Sequence, residues 1–234
     1  MYFLYNEPAM FHKGALIIGD THFGIEERLT KDGIYQKNIT EMMFEKVVEL
    51  ITQTNAKKLI ILGDVKENIL TLDEKTKTVL ERLSELVEVI IVKGNHDGGI
   101  EQVKSIRVEP SHGFVYEGLG LVHGHAFPDE KIMQCDYLIS AHQHIQYDFF
   151  DKNKKQHTEK IWAILSPSSN EIKKHYKKFN KKIKLILMPP FNFLVGRSIT
   201  KSQKESLGPL FNNKLFKLDH AILYRLDGIC VGKI

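Results

Sequence analysis

Three apolar runs, ALIIGD (15–20), KLIILGD (58–64) and VEVIIVKGN (87–95), decide how this chain is read. Each is short, rich in Ile, Leu or Val, and closes on a small residue followed by a polar one, the kind of run that builds a strand. Between them lie NITEMMFEKVVELITQTN (38–55), with apolar residues at helical spacing, and LDEKTKTVLERLSELV (72–87), with Asp73 in the first turn. The order β-α-β-α-β implies parallel strands joined by right-handed helical crossovers.

After about residue 110 the helical spacing gives way to closely spaced strands: GFVYEG, LGLVHG, DYLISAH, IQYDFF, IWAILS, IKLILMP and HAILYRLDG, with Gly or Asn-Lys in several turns. This half reads as a mixed or antiparallel sheet. The two halves share a core most simply as an α/β fold: a mixed two-sheet β-sandwich flanked by helices. No repeat, Pro-rich linker or low-complexity tract divides the chain, so residues 1–234 are expected to form one domain.

Composition narrows the class. With 42% hydrophobic residues in 234 the chain can bury an ordinary core. No stretch approaches the roughly 20 apolar residues of a membrane span, and Glu7 and Pro8 interrupt the N-terminal MYFLYNEPAMFHKG, so a cytoplasmic protein with no membrane partner is expected. Cys135 and Cys230 are far apart and in no C-x-x-C spacing; both are expected to be reduced and partly buried. The net charge of +4 does not identify a nucleic-acid binder. Its distribution is more informative, since residues 173–184 read KKHYKKFNKKIK. That run, Lys173 to Lys184, suits weak contact with nucleic-acid phosphates and equally suits a solvated face, and few arginines are available for bidentate phosphate recognition.

The residues that follow the strands carry the chemistry, because ligands gather at the carboxyl ends of strands in open α/β sheets. Asp20 and His22 follow the first strand, Asp64 the second, and Asn95, His96 and Asp97 the third; His123 and His125 follow a fourth, and His142 and His144 a fifth. Singly, each reads as a turn, a cap or a polar corner. Together, Asp20, His22, Asp64, Asn95, His123, His142 and His144 are seven oxygen and nitrogen donors without a cysteine, a set that suits two divalent ions such as manganese, iron, zinc or nickel.

In the order DTH (20–22), GD (63–64), GNHD (94–97), HGH (123–125) and AHQH (141–144), the sequence resembles the calcineurin-like metallophosphoesterase superfamily. THFGIEERL and LILMPPFNFLVGRSIT look like its ICC-like branch, some members of which are associated with DNA ligases. The resemblance implies an αββα fold and two cations, manganese first among the candidates. Asp20, His22, Asp64 and His144 would hold one ion and Asp64, Asn95, His123 and His142 the other, with Asp64 shared. It further implies phosphate ester hydrolysis, of diesters ahead of monoesters, by a metal-bridging hydroxide, with His96 assisting the leaving group. Asp97 is expected either to hold the second nitrogen of His96 or to cap a turn.

Two positions depart from the superfamily. Ala141 stands where Gly is usual, and Glu67 where nuclease members and many relatives carry a second His. His125 is expected to be structural or to support a ligand rather than to bind metal, and His12, His112, His157, His175 and His220 to lie outside the site. Asn192 and Arg197 suit a substrate phosphate or a structural turn; Phe191 and Phe193 suit a nucleobase or the core. The resemblance leaves two alternatives open, a nuclease acting on single-stranded DNA or RNA and a scaffold that keeps the fold without hydrolysis.

Overall fold

The three apolar runs form adjacent parallel strands. In the computed structural model, which describes residues 1–36, 38–150, 152–198 and 208–233 (backbone alone at Phe150, Arg197 and Ser198), the first sheet contains β1 (Tyr2–Phe3), β2 (Met10–His12), β3 (Ala15–Ile18), β4 (Lys58–Ile61), β5 (Glu88–Val92) and β6 (Arg107–Glu109), in that order. β3 to β6 run parallel, and β1 and β2 form an antiparallel edge. That edge was not anticipated from the N-terminal residues. It is held by contact between the sheets, the ring of Phe3 lying 4.4 Å from that of Trp162.

The second sheet has nine strands: β7 (Phe114–Tyr116), β8 (Leu119–Val122), β9 (Tyr137–Ser140), β10 (Ile145–Phe150), β11 (Gln156–Leu165), β12 (Lys184–Leu187), β13 (Arg197–Ser198), β14 (Ile222–Arg225) and β15 (Cys230–Lys233). It is mixed as expected: β9 pairs in parallel with β8 and β12, while β11 is antiparallel to β10, β12 and β14. The α/β sandwich is therefore the observed architecture.

The alternation of side chains along each strand sorts the core into layers. Ile17, Ile60, Leu62, Ile90 and Val92 meet Leu121, Ile139, Trp162, Ile186 and Met188 between the sheets. Their neighbours Leu16, Ile18, Leu59, Ile61, Val89 and Ile91 face outward against Met43, Val47 and Leu50 of α2 (Ile39–Thr54) and Val79, Leu80 and Leu83 of α3 (Glu74–Leu86). A shorter helix, α1 (Ile25–Lys31), precedes these. Asp73 is the N-cap of α3 rather than part of its first turn, its Oδ1 accepting the Thr76 amide at 2.9 Å.

Among the described residues no helix is long and apolar enough to cross a membrane. Cys135 and Cys230 are unpaired; Cys135 is half-buried, but Cys230 lies exposed on β15, where partial burial was expected.

Candidate metal centre

The parallel ladder between β3 and β4 continues past both strand ends. The amides of Asp20, His22 and Phe23 donate to the carbonyls of Gly63, Asp64 and Val65, and Thr21 Oγ1 donates to Val65 O at 3.0 Å. A third segment locks onto this pair: Asn192 donates its amide to Asp20 O and its Nδ2 to Thr21 O (2.9 Å). Lys160 reaches from β11 to bind the same segment, donating to the carbonyls of Pro190, Phe191 and Asn192. Asn192 is fully buried and Phe191 nearly so; Phe193 is exposed, and the side chain of Arg197 lies outside the described residues.

These loops bring together all seven donors expected from the sequence. Nε2 of His144 lies 3.3 Å from Asp20 Oδ1 and 3.2 Å from Nε2 of His22, which is 3.9 Å from Asp64 Oδ2. On the other side, Nε2 of His123 lies 3.3 Å from Asp64 Oδ2, 3.1 Å from Asn95 Oδ1 and 3.1 Å from Nδ1 of His142. Among the described residues three groups can hold a cation, each with its ligand atoms within 4.8 Å of one another: Asp20, His22, Asp64 and His144; Asp64, His123 and His142; and His22, Glu67 and His96, which shares His22 with the first; Asp64 belongs to the first two. Asn95 adds its oxygen to the second. The other nitrogen of His123 is fixed by Leu62 O at 2.7 Å, which orients the ring.

Asp20, His22, Asp64, His142 and His144 all have left-handed backbone, with φ of 53°, 45°, 48°, 71° and 47°. For residues other than glycine this region is sparsely populated, and a residue held there costs of order 1–3 kcal/mol. Packing around the loops sustains the strain, and its effect is to turn successive side chains toward one point. Ala141 fits for a related reason. A Cβ at position 19 would fall 2.7 Å from that of Ala141, so Gly19 leaves room for the methyl group.

The electrostatics favour a cation. Burial alone would raise the carboxyl of Asp20, but the imidazoles of His144 and His123 outweigh it and hold the group low. Asp64 is likewise driven up by burial and far further down by His123 and the amide of His96. Burial would lower His123, yet the two carboxylates push it up to about 9; burial and the charge of His123 press His142 down to about 4. Without metal, a proton on His123 thus balances the buried carboxylates. Two such carboxylates, facing imidazole nitrogens with a carboxamide oxygen alongside, make a donor set suited to divalent ions.

Of the two readings of Asp97, the structure shows the turn cap. Its carboxylate does not reach the ring of His96; it accepts the amides of Val65 (2.8 Å) and Gly94 (2.7 Å), bracing the two loops that carry Asp64 and Asn95. Nδ1 of His96 instead contacts the carbonyl of Glu67 at 2.9 Å, and its amide donates to Asp64 Oδ1 at 2.9 Å. His125 is half-buried beside His123, ring to ring at 5.2 Å, and belongs to none of the three donor groups. None of His12, His112, His157, His175 and His220 joins any of them. Sequence reading missed Arg28 and Lys160 and left the role of Glu67 undefined. Glu67 lies 2.8 Å from Nδ1 of His22 and pairs with Arg28, contacts between distant positions that no local pattern announces.

Comparison with known proteins agrees with this geometry. Residues 15–201 match the family described as calcineurin-like phosphoesterase. Phosphodiesterase YfcE of Escherichia coli strain K12 is 33% identical over 119 residues, which cover 43% of this chain and 61% of that protein. The chain thus spans about three fifths of the length of the curated relatives it matches. In fold, it is similar to the crystal structure of nuclease MPE from Pseudomonas putida, with a TM-score of 0.58 at 18% identity over 96% of this chain and 91% of that one.

Proposed function

Because the chain belongs to the calcineurin-like phosphoesterase family, we propose that it hydrolyses phosphodiester bonds at a dinuclear centre. Asp20, His22, Asp64 and His144 would hold one ion and Asp64, Asn95, His123 and His142 the other. The observation that carries this reading is that Asp64 belongs to two donor groups at once, that of Asp20, His22 and His144 and that of His123 and His142. A donor set of nitrogen and oxygen without sulfur fits manganese, with iron, zinc or nickel as alternatives. When bound, such a pair supplies Lewis-acid charge to the phosphoryl oxygens and activates water for in-line displacement.

The chain's own residues supply the rest. With Nδ1 of His96 held by the carbonyl of Glu67, Nε2 is left to face substrate, and in the imidazolium form it carries the proton the leaving oxygen needs. The ring stands edge-on to His22 at a centroid distance of 5.0 Å, beside the residues that would hold the ions. Asp97 serves the reaction indirectly, by fixing the loops of Asp64 and Asn95 through main-chain amides.

A second reading, cleavage of nucleic acid, has one observation in its favour. The lysine-rich segment is anchored on the loop that follows His125: Tyr176 Oη donates to Pro128 O at 2.9 Å, and the ring of His175 lies 5.2 Å from that of Phe127. A chromogenic phosphodiester, a monoester and single-stranded DNA assayed side by side with manganese separate the readings. Metal-dependent turnover of the diester above the monoester supports the proposal, and no metal-dependent turnover of any of the three contradicts it.

A further inference from the structure

Glu67 touches two residues of the candidate centre by different means. Its carboxylate Oε2 lies 2.8 Å from Nδ1 of His22, while its main-chain carbonyl meets Nδ1 of His96 at 2.9 Å. Its other carboxylate oxygen pairs with Nε of Arg28, whose side chain is half exposed. His22 is almost wholly buried, and its Nε2 is already turned toward His144 and Asp64. Its Nδ1 is buried and makes no hydrogen bond of ordinary geometry, the 2.8 Å contact with Glu67 Oε2 being off the N–H axis.

We propose that Glu67 is a positioning residue that fixes His22 as an Nε2 ligand and thereby sets the affinity of one cation position, that of Asp20, His22, Asp64 and His144. The inference rests on the dinuclear reading above. A carboxylate behind a ligating imidazole selects the tautomer with the proton on the far nitrogen, stops the ring from turning and makes the ligating nitrogen more basic. Arg28 holds that carboxylate in place and offsets its charge. The chain therefore uses an acidic residue at this position to support a ligand. His96 is supported by the main chain at the same residue, so a change of the Glu67 side chain leaves the leaving-group acid in place and acts on metal binding alone.

The test is manganese binding by equilibrium dialysis with elemental analysis, on the full chain and on Glu67→Ala and Glu67→Gln, alongside turnover of a chromogenic diester at low and saturating manganese. Wild type should bind two ions. Glu67→Ala should keep one at unchanged affinity and bind the other about 10–100-fold more weakly. Glu67→Gln, whose carbonyl can still accept from His22, should fall between, and saturating manganese should restore turnover in both variants. Two ions at wild-type affinity in Glu67→Ala, equal weakening of both, or turnover that stays low with both ions bound would overturn the proposal. So would a third ion in wild type that Glu67→Gln loses, since Glu67 would then be a ligand. A wild type that binds fewer than two ions contradicts the dinuclear reading itself. If Glu67→Ala does not fold, Arg28→Gln should weaken the same single position by a smaller factor, and unchanged affinity there counts against the proposal.

Discussion

The backbone of Gly94 passes so close to Asp64 that a Cβ at position 94 would lie 2.2 Å from the Asp64 nitrogen and 2.4 Å from its Oδ1. No side chain fits there without moving the carboxylate common to two of the donor groups. Gly94→Ala should therefore weaken both ions together and lower stability by about 1–3 kcal/mol. Metal content and a thermal melt of the metal-free protein check the two effects, and retention of both ions at wild-type affinity would contradict this placement of Asp64.

His96 tests the division of labour between holding metal and moving a proton. Replacement by Gln should lower turnover about 10²- to 10⁴-fold with metal occupancy unchanged, because the ring is expected to act in the transition state. Its amide bond to Asp64 survives the change, so the carboxylate keeps its place. Loss of an ion in this variant would make His96 a ligand.

A dependence on pH follows from His123. In the metal-free protein the buried carboxylates of Asp64 and Asp20 raise its pKa from 6.5 to about 9. A raised folded-state value means that the stability from this group is fully present below about 6.5 and is lost as pH rises through about 9. Melts of metal-free protein should accordingly show falling stability across that window. Manganese must displace the same proton, so its apparent affinity should rise over the same interval. Flat behaviour in both measurements would show that His123 is already neutral.

The lysine-rich segment decides the second reading. If Lys177, Lys178, Lys181 and Lys182 contact phosphates, binding of single strands should weaken with salt at a log-log slope of roughly −0.7 per contact, and neutralising the four should flatten it. The expected result is weak binding. Turnover of a small diester should not change, since none of the four belongs to the donor groups. Sub-micromolar binding near physiological salt, abolished in the variant, would favour nucleic acid as substrate.

Much of this was legible in the sequence because the fold writes its site at strand ends. The runs before Asp20, Asp64 and Asn95 are buried on both faces, so they read as unbroken apolar stretches, and the polar residue after each marks a loop on the same side of the sheet. The contacts that orient the donors were not legible. Lys160 binds carbonyls 30 to 32 positions away, and Glu67 pairs with Arg28 across 39, distances over which no periodicity carries information. For Asp97 the sequence left two readings open, contact with the adjacent His96 and a turn cap, because adjacency does not say where a carboxylate points; the turn directs it back at the amides of Gly94 and Val65. The left-handed backbone at five donors leaves only a weak trace in residue type, since Asp and His are enriched at positive φ but also common in ordinary turns.

The central claim is that one carboxylate, Asp64, joins two cation positions. Its most direct test is the metal content of wild type and Asp64→Asn, both reconstituted with manganese and freed of excess. Two ions per chain in wild type and weakened retention of both in the variant are the results predicted here. A single ion in wild type, or loss of only one in Asp64→Asn, would contradict the bridge.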